Sequence, residues 1–134
     1  MAHYKKQYGI SGEMLTATYF LLKGFNVFQP IATSSRDLLV EIEGNYYGVQ
    51  VKSAMNPWKD PYRRKARYKF NLKHSSSNEP YDQKIVHIFA CVDLKTKLIL
   101  FEVNRGQKSK VATLDLFTKE AEEQSFDEML KKIK

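Results

Sequence analysis

Two short runs, Leu38 to Ile42 and Tyr46 to Lys52, flank Glu43-Gly44-Asn45, and this arrangement limits what the chain can fold into more than any other feature. Both runs are rich in branched and aromatic residues and are divided by turn formers, the pattern of an antiparallel hairpin. Side chains alternate across a strand, so Tyr46, Gly48, Gln50 and Lys52 share one face, while Tyr47, Val49, Val51 and Ser53 share the other. Asp37 stands at the outer end of the first run, and antiparallel pairing returns that end to the far end of the second. Asp37, Gln50 and Lys52 are therefore expected to converge, with Gly48 leaving space beside them.

The rest of the chain supplies enough apolar sequence to bury such a hairpin. At 134 residues it fits one ordinary domain, residues 1–134, with a core that needs no metal or disulfide staple. Ser11 to Lys23 reads as a first helix. Ser11 is its expected N-cap, Gly24 its terminator, and Met14, Leu15, Thr18, Leu21 and Leu22 the stripe facing the sheet. Phe25 to Phe28 makes a short strand stopped by Gln29-Pro30, and Tyr68 to Leu72 another. Ile85 to Val92 and Leu98 to Val103 read as central strands joined by a turn, and Arg105 to Lys110 as a polar connection. Lys73 to Tyr81, rich in Ser and containing Pro80, reads as a mobile segment. Phe126, Met129, Leu130 and Ile133 fall at helical spacing behind a Ser125-x-x-Glu128 capping box, so the chain is expected to end in a helix. The fold class is α/β, with a mixed central sheet flanked by helices.

Charge points to an anionic partner. The formal net charge is +7 and the isoelectric point is near 9.4. Lys59, Arg63, Arg64, Lys65, Arg67, Lys69 and Lys73 lie in one segment whose only acid is Asp60. Clustered cations gain affinity for a polyanion by releasing its counterions. Trp58, Tyr62, Tyr68 and Phe70 are interleaved with them, which suits a surface that grips phosphates and packs on sugars or bases. The competing reading is a solvated basic loop. The solitary Cys91 sits in an apolar run and is expected to be an inert buried thiol, consistent with a reducing cytoplasmic setting. The most apolar helical stretch, Met14 to Leu22, is too short to span a bilayer.

An acid followed by a Q-x-K triplet on a strand pair, after a helix bearing Glu13, resembles the core of the PD-(D/E)xK nuclease superfamily. The N-terminal half is most similar to the small homing endonucleases of cyanobacterial group I introns. The residues that carry this likeness are Gly12-Glu13, Gly24-Phe25-Asn26-Val27, Ser35-Arg36-Asp37 and Tyr47-Gly48-Val49-Gln50-Val51-Lys52-Ser53, with a weaker continuation in Tyr68-Lys69-Phe70-Asn71-Leu72. The resemblance implies a site-specific double-strand DNA endonuclease that uses Mg2+, with Mn2+ as a substitute. Asp37 would be the principal metal carboxylate, Gln50 a neutral oxygen ligand, Val51 a backbone carbonyl ligand, Glu13 an additional acid, and Lys52 the cation beside the scissile phosphate. Hard divalent cations prefer such oxygen donors and need only one or two carboxylates plus substrate phosphate. Gln50 replaces the acid usual in the superfamily, which lowers the charge of the site. The resemblance also implies a symmetric homo-oligomer, a dimer or tetramer, acting on double-stranded DNA in a bacterial cell, encoded by host or phage.

Other readings compete at each residue. Glu13 would be favourable near a helix N-terminus through the macrodipole, Asp37 would serve to cap a turn or pair with Arg36, and Gln50 and Lys52 would suit an exposed strand face. Glu41 and Glu43 are rival carboxylates nearer the turn. His3, His74 and His87 lack zinc-ligand spacing, and His87 reads as a satisfied core residue rather than a base. The rival functions are a junction resolvase or repair nuclease using the same chemistry, and a non-catalytic DNA-binding module.

Overall fold

The computed structural model describes residues 4–58, 61–62 and 65–133. Helix α1 (Lys5–Leu22) is followed by strands β1 (Asn26–Phe28), β2 (Leu38–Ile42), β3 (Asn45–Ala54), β4 (Arg67–Asn71), β5 (Ile88–Asp93), β6 (Leu98–Val103) and β7 (Ser109–Thr113). A 3-10 turn (Leu114–Leu116) and helix α2 (Lys119–Ile133) complete the fold. Five strands form one sheet in the order β1-β2-β3-β5-β6, while β4 and β7 form a separate two-stranded ribbon. The β3/β5 pair is parallel and the other three neighbours are antiparallel, so the sheet is mixed, as the sequence led us to expect. Among the described residues no helix is long and apolar enough to cross a membrane.

The hairpin forms as the alternation dictates. Ile42 pairs with Asn45, which leaves a two-residue turn of Glu43 and Gly44, both at positive φ, 52° and 83°. That geometry twists in the same sense as the strands it joins, and Gly44 adopts it without steric cost. Beyond the turn, β3 becomes the middle strand. Val49 and Val51 face one core with Phe20, Val40, Ile88, Phe101, Phe126 and Met129, while the opposite face meets a second core of Tyr68, Phe70, Leu72, Phe89, Cys91 and Leu100. The sheet is thus packed by α1 and α2 on one side and by the β4–β7 ribbon on the other.

Several local expectations are overturned. α1 begins at Lys5, so Ser11 is an interior helical residue rather than the N-cap, and Glu13 is far from any helix start. The face of α1 that meets the sheet is Gly12, Thr16 and Phe20, whereas Met14 and Leu22 are 63% and 83% exposed. The cause is closeness. Gly12 lies against β3 so tightly that a Cβ there would sit 1.7 Å from Ser53 Oγ, and Thr16 turns its hydroxyl back to the Gly12 carbonyl at 2.8 Å. The helix does end at Gly24, where Gly24 N–H donates to Leu21 O and Phe25 N–H donates to Phe20 O, a Schellman closure.

β5 starts only at Ile88, because Ile85 and Val86 N–H both turn back to Asp82 O. β6 is an edge strand rather than a central one, and α2 hides its edge. Ile99 N–H donates to Glu122 Oε2 and Phe101 N–H to Ser125 Oγ, so side chains of α2 replace a missing strand. The Ser125-x-x-Glu128 capping box therefore does not exist. The helix starts earlier, at Lys119, where Thr118 Oγ1 accepts from Ala121 N–H. β7 begins inside the segment read as a polar connection. Residues 73–81, read as mobile, are tied by a Lys73–Pro80 bridge and by His74 N–H donating to Glu79 O.

The Gly12 contact gives a stability test. Ala is the better helix former by ~1 kcal/mol, whereas overpacking a tight contact costs ~1–3 kcal/mol, so Gly12→Ala should lower stability on balance. Ser53→Ala, which removes a buried hydroxyl with no hydrogen-bond partner, should recover part of that loss. Urea unfolding of the two single variants and the double variant measures the coupling; strict additivity would refute the contact.

Candidate active site

Asp37 lies one residue beyond the last β2–β3 pair, Leu38 with Val49, and it finishes the ladder with both its backbone and its side chain. Its N–H donates to Val49 O at 2.8 Å, and its Oδ2 accepts from Val51 N–H at 2.8 Å. A strand that continued straight would have met Val51 with a carbonyl; here a carboxylate does so. In a strand the N–H and C=O of one residue leave on the same side, so the Val51 carbonyl also projects past the end of β2, toward the side that Asp37 occupies. Asp37 neither pairs with Arg36 nor merely caps a turn.

Glu13 joins Asp37 from α1. Both line a cleft of about 220 Å³ that also includes Ser34 and Arg36. Burial raises the Glu13 pKa above its ordinary value, and the negative charge of Asp37 raises it further. Burial likewise raises the pKa of Asp37, opposed by the Val51 N–H and by the positive charge of Lys52. Both carboxylates are partly desolvated and the charge of Asp37 opposes the ionisation of Glu13, so a bound cation would relieve both costs.

Gln50 and Lys52 extend from the opposite face of β3 to Val49 and Val51, as their parity requires. Gln50 is 8% exposed, not a polar residue on an open strand face, and its Nε2 donates to the Ser35 carbonyl. Lys52 Nζ donates to Tyr81 Oη at 3.2 Å and stands over that ring, 5.4 Å from its centroid. Lys52 lines a second cleft, about 370 Å³, with Asn71, Lys73 and Tyr81. The structure therefore brings Glu13 and Asp37 into one cleft and holds Lys52 in another, within electrostatic reach of Asp37 but bonded to Tyr81.

The donor set fits a hard divalent ion in kind. Glu13 and Asp37 supply carboxylate oxygens, Val51 a carbonyl on the same strand edge, and Gln50, anchored through its Nε2 on the Ser35 carbonyl, an amide oxygen. No group of three or more His, Cys, Asp or Glu side chains is clustered for a metal among the described residues, so any ion held here would lean on neutral oxygens and on substrate. The rivals are elsewhere: Glu41 accepts from Asn26 Nδ2 at 2.9 Å, and Glu43 is in the turn. His87 Nδ1 accepts from Gly48 N–H at 3.0 Å, a satisfied structural role. Cys91 is fully buried, and its thiol pKa is pushed up to about 12.

In the basic segment, Lys59, Arg63 and Arg64 lie outside the described residues. Lys65 pairs with Asp115 at 2.8 Å, and Arg67 stacks on Trp58, 4.3 Å from the ring centroid. Lys69 is exposed on β4, and Lys73 lines the Lys52 cleft.

Sequence reading missed two neighbours of this site. Tyr81, in a Ser-rich stretch with no periodic signal, positions Lys52, and its own backbone is held by the buried Asn104, whose Nδ2 donates to Tyr81 O at 3.0 Å. Arg36 lies across Gly48, where an added Cβ would come within 2.6 Å of its Cγ; the space beside Gly48 is thus filled, and the glycine is the only local hint of it.

No protein-family model matches this chain, and no curated protein matches it. Among solved structures the fold is similar to that of a bacterial homing endonuclease, I-Ssp6803I, with a TM-score of 0.61 and 18% sequence identity over 81% of this chain and 74% of that one. At that identity the likeness establishes a shared fold: a mixed five-stranded sheet with two helices.

Proposed function

We propose that this protein is a metal-dependent endonuclease that cuts double-stranded DNA at a specific site, in the manner of the intron-homing enzymes. The observation that carries the reading is the Asp37 carboxylate bonded to the Val51 N–H at a strand edge, with a second carboxylate, Glu13, electrostatically coupled to it. The positive charge of the chain and its fold likeness to a homing endonuclease support it.

Each residue then has a task. Glu13, Asp37, the Val51 carbonyl and Gln50 would supply the oxygen donors for Mg2+, which when bound would offset charge on the phosphate and lower the pKa of a water molecule. Lys52 leaves Tyr81 to neutralise charge accumulating on the phosphate as water attacks in line with the departing 3′ oxygen. The water oxygen bonds to phosphorus as the P–O3′ bond breaks; the water sheds a proton to solvent and the departing O3′ takes one up from solvent, leaving a 5′-phosphate and a 3′-hydroxyl. One chain carries one such site, so cutting both strands takes two copies, arranged symmetrically.

A second, non-catalytic reading is favoured by one observation: Lys52 is bonded to Tyr81, and the Gln50 amide to Ser35. Supercoiled plasmid incubated with magnesium separates the two. Nicking and linearisation should occur with wild type, stop with chelator, and fall by roughly 10²-fold or more in Lys52→Ala and Asp37→Asn. Equal binding without any cutting by wild type would leave a DNA-binding module.

The pKa directions fix the pH behaviour. A carboxyl whose folded pKa is raised binds its proton more tightly in the folded state, so ionising it costs stability, and that cost grows as pH rises through the ordinary carboxylate range. Asp37→Asn, whose amide oxygen still accepts from Val51, should therefore match or exceed the wild-type melting temperature at neutral pH while abolishing cleavage. It should also lower the Glu13 titration midpoint, read by NMR, because the charge that raises it is gone. Cleavage by wild type should lose rate on acidification at a pH above that of an ordinary exposed carboxylate. An unshifted Glu13 midpoint would disprove the coupling.

A further inference from the structure

The β4–β7 ribbon has a face that the sheet does not use. Tyr68, Phe70 and Ala112 point inward to the second core. The outward positions are Arg67, Lys69 and Asn71 on β4, paired with Thr113, Val111 and Ser109 on β7. Of these six, four are exposed, including Val111 at 55%, and none is acidic. The neighbouring carboxylates are already engaged. Glu102, on the inner side, accepts from Lys110 and from Gln107, and Asp115 accepts from Lys65.

The types are those that read base edges. Arg and Lys suit the guanine acceptors, Asn the adenine donor–acceptor pair, Ser and Thr either, and an apolar methyl the thymine methyl. Arg67 is held ready: Trp58 bridges to it by backbone hydrogen bonds on the side of β4 away from β7, and the indole lies under its guanidinium. The size also fits. Two strands ~4.8 Å apart enter a major groove ~12 Å wide, and five residues span ~17 Å. That length covers about five base steps of ~3.4 Å. From Asn71 the cleft lined by Lys73 and Tyr81 leads directly to Lys52.

We propose that the outer face of the β4–β7 ribbon inserts into the major groove of duplex DNA and reads about five base pairs there, with the Lys73 cleft guiding the phosphate backbone to Lys52. This deepens the nuclease reading and rests on it for the substrate. Duplex DNA is the occupant because the face is cationic, carries no carboxylate, and runs continuously into the cleft that holds Lys52.

The test is selection from a pool of duplexes with a randomised centre, in chelator, by wild type, Lys69→Ala, Asn71→Ala, Val111→Glu and the control Lys95→Ala in the β5–β6 turn. Wild type should enrich a defined sequence. Val111→Glu and Lys69→Ala should weaken binding to it about tenfold or more. Asn71→Ala should lose preference at one or two adjacent positions, and Lys95→Ala should change nothing. Melting temperatures show whether each variant folds; if Val111→Glu does not, Lys69→Ala and Asn71→Ala decide alone. Unchanged affinity and an unchanged enriched sequence in the folded ribbon variants overturn the proposal, as does a wild type that enriches no sequence. Adding magnesium to the selected duplex separates this from the nuclease reading. Altered selection without cutting leaves the ribbon standing and removes the nuclease, whereas cutting with unaltered selection does the reverse.

Discussion

Everything about the site depends on one hydrogen bond, from the Val51 N–H to the Asp37 carboxylate. It occurs where β2 has run out and β3 continues, so a main-chain donor in the middle of the sheet would otherwise be orphaned. An unpaired buried donor costs about 1–3 kcal/mol, and a charged acceptor makes a stronger bond than a neutral one. Asp37 thus has a structural reason to be where it is. The same bond holds the carboxylate beside the edge from which the Val51 carbonyl emerges, and burial at that place raises its pKa against the hydrogen bond that lowers it. Structural need and chemical poise meet in one side chain.

The second carboxylate arrives through packing rather than pairing. Gly12 lets α1 approach β3 until only Ser53 and Val51 separate helix from strand, and the residue after Gly12 is Glu13. A side chain at position 12 would push the helix away and Glu13 with it. The apolar residues Met14 and Leu22 then face outward because the close approach at Gly12 turns the Gly12, Thr16 and Phe20 side of the helix to the sheet. Close approach gains dispersion contacts along both backbones that larger side chains would prevent.

The two sides of the central sheet serve different ends. One is covered by helices and is apolar nearly throughout, with Tyr19, Phe20, Phe25 and Phe101 in edge-on or tilted contact around Phe126. The other is covered by a ribbon only two strands wide, which leaves a second surface free. α2 completes the arrangement by closing the β6 edge with Glu122 and Ser125, so the sheet does not extend into a neighbour on that side.

The hairpin, Asp37 at its end and the parity of Gln50 and Lys52 were legible in the residues, because each follows from a period-two alternation; the turn was read one residue too long, since Asn45 pairs with Ile42 and belongs to β3. The stop at Gly24 was legible from local turn chemistry. Ser11 as a cap, Ser125 as the head of a box and Met14 as a core residue were misread, since a capping residue and a helical stripe carry no information about what lies beside them. β7 was invisible because a strand of Ser, Lys, Val, Ala and Thr has little apolar pattern until Tyr68 and Phe70 lie opposite it. Tyr81 next to Lys52, and Arg36 across Gly48, were equally hidden. The sequence by itself determined which side chains share a face of one strand, as backbone geometry is local. Only the tertiary structure decided which distant groups meet across elements, because that depends on how closely α1, the sheet and the ribbon can pack.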